Sequence, residues 1–90
     1  MLWKIHYTKT FEKQYSKLDY QLRIRVDAVI KELEISEDPM KIGEPKKISL
    51  KNCFAYDLGR KYRIIYNVCK NEIVILLLKV GKHKDIYGTD

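Results

Sequence analysis

The stretch Lys61–Gly88, KYRIIYNVCKNEIVILLLKVGKHKDIYG, decides the fold. Two apolar runs rich in β-branched and aromatic residues flank a polar turn at Lys70-Asn71, which is the pattern of a hairpin. The second run, Ile73–Val80, is apolar on both faces, as expected of a central strand buried on both sides. A short polar tail holding His83 and Tyr87 follows it. In an antiparallel hairpin the start of one strand and the end of the next lie at the same end of the sheet. Arg63 and the His83/Tyr87 tail are therefore expected to meet.

Immediately upstream, Cys53–Leu58 and a turn at Gly59-Arg60 add a third strand, giving an antiparallel meander. The segment before it, Glu37–Asn52, holds both prolines, Gly43 and four lysines. It reads as a loop crossing the domain, with a short extended piece at Ile48–Leu50. Before that lies a helical hairpin. Thr8 or Thr10 can cap a first helix whose apolar side is Phe11, Tyr15 and Leu18. Asp19 caps a second, with Leu22, Val26, Val29, Ile30 and Leu33 as its stripe, and a connection of a residue or two makes the pair antiparallel. Pro39 ends the second helix or its tail. The chain opens on a half-buried strand, Leu2–Tyr7, with Trp3, Ile5 and Tyr7 on one face and His6 on the polar one. The expected fold is α+β: an N-terminal strand, an antiparallel helical hairpin packed on a mainly antiparallel four-stranded sheet, and a short C-terminal tail. The first strand belongs beside the last, which is too apolar for an exposed edge.

Ninety residues, 46% hydrophobic and 33% charged, suit a single soluble domain spanning residues 1–90. The longest apolar run, Ile73–Leu78, is far short of the roughly 20 residues of a membrane span. The start lacks the marks of a secretory signal, so the expected location is cytoplasmic. Cys53 and Cys69 read as small free hydrophobes in strands, not as a disulfide or zinc framework. No metal site, phosphate-cradling glycine loop or cysteine/serine nucleophile pattern stands out, and no cofactor is expected.

Charge is unevenly placed. Residues 1–45 carry eight Lys/Arg against eight Asp/Glu, whereas residues 46–90 carry ten against four, so the whole net charge of +6 lies in the second half. Such one-sidedness suits a polyanionic partner, nucleic acid or an acidic protein. Lys46, Lys47, Lys51, Arg60, Lys61, Lys79, Lys82 and Lys84 are the candidate RNA-binding cations.

With element order, the GEPKKISLKN loop, the strand Tyr62-Arg63-Ile64-Ile65-Tyr66 and the later Val80-Gly81-Lys82-His83-Lys84-Asp85-Ile86-Tyr87, nearly the whole chain resembles the RelE/ParE superfamily of toxins from toxin–antitoxin modules. The resemblance to its RelE- and YoeB-like branch implies a metal-independent endonuclease that cleaves messenger RNA in the ribosomal A site and so inhibits translation. It implies a cognate antitoxin, messenger RNA and ribosomal RNA as partners. By the same resemblance Arg63 matches the arginine on the scissile phosphate, His83 an acid or phosphate ligand, and Tyr87 the C-terminal tyrosine that aids catalysis or stacks on a base. Glu44 matches the carboxylate base of the YoeB-like branch. One departure concerns the strand before Arg63: RelE-like enzymes carry basic residues there, while this chain has Phe54, Ala55, Tyr56 and Asp57. That leaves Glu44 or the loop lysines as base. Two other readings share the fold: a ParE-like toxin that inhibits DNA gyrase without nuclease activity, and a degenerate homologue that only binds its antitoxin.

The chemistry is coherent on its own terms. Metal-free RNA cleavage needs a base for the 2′-OH, positive charge on the phosphorane and an acid for the leaving 5′-oxygen. A guanidinium supplies the second by forked donation. An imidazole with an ordinary pKa of about 6.5 can exchange protons near neutrality, and the lysines around His83 favour its neutral form until phosphate binds. Tyr87, a phenol, fits hydrogen-bond donation or stacking better than proton abstraction.

Overall fold

The computed structural model describes residues 2–45, 52–59 and 61–82. In chain order these form β1 (Lys4–Tyr7), α1 (Lys9–Ser16), α2 (Tyr20–Ile35), β2 (Glu44–Pro45), β3 (Cys53–Gly59), β4 (Tyr62–Cys69) and β5 (Val74–Lys82). Single turns of 3-10 helix occupy Pro39–Lys41 and Lys70–Glu72.

Both helices start where side-chain chemistry sets them. Thr8 accepts from the Phe11 amide at 3.1 Å and Asp19 from the Leu22 amide at 2.9 Å, each satisfying a donor with no partner inside the helix. The Tyr15 hydroxyl donates to Asp27 Oδ1 at 2.8 Å, which fixes the antiparallel stagger of the hairpin. Beyond α2, the Asp38 carboxylate accepts from the Met40 amide and Pro39 starts the next turn rather than ending the helix.

The sheet runs β1-β5-β4-β3-β2, with β1 parallel to β5 and every other pair antiparallel. The first strand thus lies beside the last, as its apolar sequence requires. The sheet has five strands, not four. β2 is a two-residue edge strand inside the segment expected to be loop, and Pro45 is tolerated there because an edge residue owes the ladder no N–H on its outer side. The piece expected at Ile48–Leu50 lies outside the described residues.

One face of the sheet is covered by the helices. Leu22, Val26, Leu33, Ile64, Tyr66, Val68, Ile75, Leu77 and Val80 are almost fully buried between them. Leu77 and Val80, three apart, both reach this core because the β4–β5 register slips between Ile65/Tyr66. Where β1 ends, α1 takes over the edge of β5. The Thr8 hydroxyl donates to the Leu77 carbonyl at 2.9 Å, and Gln14 Oε1 accepts from the Val80 amide at 2.9 Å. Among the described residues, the opposite, helix-free face carries a small buried cluster, Ala55 and Ile65 with Leu78 against them.

Candidate functional site on the helix-free face

Arg63 lies on the helix-free face. Residues paired across an antiparallel ladder share a face. Arg63 stands opposite Asp57 on β3 and Gly81 on β5, while Glu44 on β2 stands opposite Ala55. Ala55 and Asp57 are two apart on one strand, so Glu44, Asp57 and Arg63 all point to one side. From strand spacings the Cα atoms of Glu44 and Arg63 are roughly 12 Å apart, a gap their long side chains can narrow. A cavity of about 330 Å³ fills it, lined by Ile42, Gly43, Glu44, Ala55, Tyr56, Asp57 and Arg63.

The placement of Glu44 traces to Tyr66 beneath the sheet. This tyrosine is 0% exposed and stacks on Phe54 at 5.6 Å between centroids. Its hydroxyl donates to the Pro39 carbonyl and accepts from the Gly43 amide, each at 2.8 Å. Burial pushes the phenol up to about 12, so it stays a neutral donor. Gly43 is needed for this approach, since a Cβ there would lie 2.6 Å from the Tyr66 hydroxyl and 2.9 Å from the Ala55 carbonyl. One buried hydroxyl thus pins both sides of the turn that delivers Glu44. Sequence reading named Tyr66 as part of its strand and missed this role. The available signal was a glycine directly before Glu44-Pro45.

Asp57, the acid that stands where the nuclease branch carries bases, has a local task. Its Oδ1 accepts from the Gly59 amide at 2.8 Å. This holds the irregular turn in which Gly59 has φ +83° and Lys61 φ +69°. Arg25 adds a clamp, donating to the Leu58 carbonyl at 2.8 Å. Among the described residues, Arg63 forms no ion pair with Asp57. Two carboxylates and one guanidinium therefore line the cavity.

The candidate cations separate. Lys79 is exposed and stands opposite Ile65, on the Arg63 face. Lys61 is exposed in the β3–β4 turn. Lys82 does not join them. It stands opposite Tyr62, whose ring packs on the helix-side core, and its Nζ lies 5.7 Å from that ring. His83, Tyr87, Lys46, Lys47, Lys51, Arg60 and Lys84 lie outside the described residues. Cys53 and Cys69 are free thiols. Among the described residues no three His, Cys, Asp or Glu side chains gather as a metal site.

What this face can do chemically is bring an ionisable carboxylate and a guanidinium to one concave surface. A phosphodiester seated between them would meet a proton acceptor at one side and a forked donor at the other.

Comparison with solved structures finds the same architecture. E. coli RelE, as an arginine double mutant in the free state, superposes with a TM-score of 0.79 at 20% identity, over 98% of this chain and 93% of that one. The RelE–RelB complex from Pyrococcus horikoshii gives 0.73 at 24% identity, over 91% and 96%. YafQ from E. coli gives 0.71 at 15% identity, over 96% and 99%. At these identities the likeness is one of fold. No curated relative matches the sequence significantly. A family model described as the ParE-like toxin of type II bacterial toxin–antitoxin systems matches residues 5–89. The chain belongs to the ParE-like toxins of type II bacterial toxin–antitoxin systems.

Proposed function

We propose that this toxin is an endoribonuclease that cleaves messenger RNA in the ribosomal A site, in the cytoplasm, without a metal ion. The observation that carries this reading is that Glu44 and Arg63, distant in sequence, line one cavity on the helix-free face. In the proposed reaction Glu44 takes the proton of the 2′-OH as the oxygen attacks phosphorus. Arg63 binds the non-bridging oxygens as charge builds on them. His83 gives a proton to the departing 5′-oxygen, and Tyr87 donates to the phosphate or stacks on a base. Gly81, two residues before His83, stands opposite Arg63 in register, which supports delivery of the imidazole to the same end of the sheet. Lys79 and Lys61, with the cations of residues 46–51, 60 and 84, would neutralise RNA phosphates. The solved RelE–RelB structures are toxin–antitoxin complexes, which supports a cognate antitoxin that neutralises this chain in turn.

Gyrase inhibition is the second reading. It is favoured by the ParE-like family model and by Asp57 in place of a strand base. The two separate in cells under tight induction, by mapping messenger-RNA 5′ ends for the wild type and an Arg63→Ala/Tyr87→Phe variant. Codon-phased ends that vanish in the variant are expected. Intact transcripts together with gyrase-dependent DNA breaks would assign the toxin to the second reading.

A further inference from the structure

Helix α2 is apolar on two opposite sides. One stripe, Leu22, Val26, Val29 and Leu33, fills the core. The other, Tyr20, Ile24, Ala28 and Ile35 with the exposed Lys31 among them, falls at helical spacing on the far side and faces outward. Tyr20 is 75% exposed, Ile24 49% and Ile35 54%. Leu2 extends the strip at the Ile35 end, because the next residue, Trp3, donates its backbone N–H to the Glu34 carbonyl. An amphipathic helix that needed only to cover this sheet would carry polar residues at those positions.

We propose that the outer stripe of α2 binds the same stripe of a second copy, giving a two-fold symmetric dimer of antiparallel helices. The charges beside the stripe name the occupant. About a midpoint between Ala28 and Val29, Arg23 mirrors Glu34 and Arg25 mirrors Glu32, and Asp27 falls one residue from the position that mirrors Lys31. A two-fold axis through that midpoint sets Arg23 of one copy beside Glu34 of the other, and repeats every such pair. Ala28, the smallest residue of the stripe, then sits at the crossing, where two helices can approach closely. Tyr20 of one copy falls near Ile35 of the other.

Several flanking groups are already fixed by contacts within the chain. Arg25 is bonded to the Leu58 carbonyl, Glu32 to the Tyr56 hydroxyl and Asp27 to the Tyr15 hydroxyl. Less side-chain entropy is therefore lost on pairing. Lys31, bonded to its own Glu34 at 3.1 Å, would lie between that carboxylate and Asp27 of the other copy. A 16-residue helix spans about 24 Å, a contact at the small end of specific interfaces. Dissociation in roughly the micromolar range is expected. Since α2 covers the opposite side of the sheet from Arg63, both cavities stay open in the dimer.

The test is sedimentation equilibrium of the full chain, made by cell-free synthesis, across a concentration series. The wild type is expected to pass from 10.8 kDa monomer to twice that mass. Ile24→Glu should abolish the shift while its thermal midpoint and circular dichroism stay those of a folded protein. Lys31→Glu should weaken association by roughly tenfold, and Asp27→Lys/Lys31→Glu, which reverses the pair, should restore it. Ala28→Cys in a Cys69→Ser background should form a symmetric disulfide dimer under mild oxidation, whereas Lys17→Cys should not. A chain that stays monomeric throughout would overturn the proposal, as would a dimer indifferent to Ile24→Glu and Lys31→Glu. A monomer whose α2 resonances move only on adding an amphipathic partner helix would give the stripe to that partner instead.

Discussion

Tyr66 shows how one side chain serves packing and the site together. Its ring fills the core, and its hydroxyl fixes the segment that leads into Glu44. Tyr66→Phe keeps the ring but strands a carbonyl and an amide. Chemical denaturation should show a loss of about 1–3 kcal/mol. Gly43→Ala brings a methyl against the hydroxyl and the Ala55 carbonyl, and a similar cost of about 1–3 kcal/mol follows from overpacking. Because the two changes act at one contact, the double variant should cost less than the two single costs together, a coupling that a double-mutant cycle reads directly. The phenol also sets an alkaline limit. Its folded value of about 12 exceeds the unfolded 10.0, so its stabilisation is complete below pH 10 and fades as pH rises towards 12. Tyr15, through its bond to Asp27, and Tyr56, through burial, are shifted in the same direction. Tyr66→Phe should therefore reduce, not erase, the loss of stability measured between pH 10 and 12.

Among the elements, α2 and β5 were readable from sequence because each carries a long, unbroken pattern. Asp19 before an apolar stripe set the helix start, and a run of apolar residues on both faces set β5 in the middle of the sheet. β2 was hidden, since two residues that include a proline carry no periodicity and pair only through the tertiary fold. The slip opposite Ile65/Tyr66 was hidden too, because it comes from one extra residue, Leu78, inside β5, and a bulge leaves no mark on an unbroken apolar run. For that reason sequence reading could group Lys82 with Arg63, whereas alternation in the actual register sends it towards Tyr62. The hairpin pattern singled out Arg63 and family resemblance gave it a role, Glu44 came from that resemblance alone, and their shared cavity came from the fold. Where α1 takes over the β5 edge, Thr8→Val removes a cap and two hydroxyl bonds to β5 at once. A loss of about 1–2 kcal/mol is expected, read as faster hydrogen exchange in α1 and at the Val80 amide than in β3.

The molecule as a whole divides its two faces between stability and chemistry. Helices and core occupy one side; the other presents Glu44, Asp57 and Arg63 over a thin apolar base of Ala55, Ile65 and Leu78. Substitutions on the second face should therefore cost function without cost to folding. Arg63→Ala, half-exposed and unpaired among the described residues, should leave the thermal midpoint within a few degrees of the wild type. Asp57→Asn, by contrast, should loosen the Gly59 turn and touch activity only through it. The most direct measurement is single-turnover cleavage of messenger RNA on programmed ribosomes with folded wild-type, Arg63→Ala and Glu44→Gln proteins. A general base and a phosphate-binding guanidinium in one cavity predict cleavage by the wild type, with losses of at least about a hundredfold in each variant. A wild-type protein that leaves the message intact, or a Glu44→Gln protein that cuts at the wild-type rate, would contradict it.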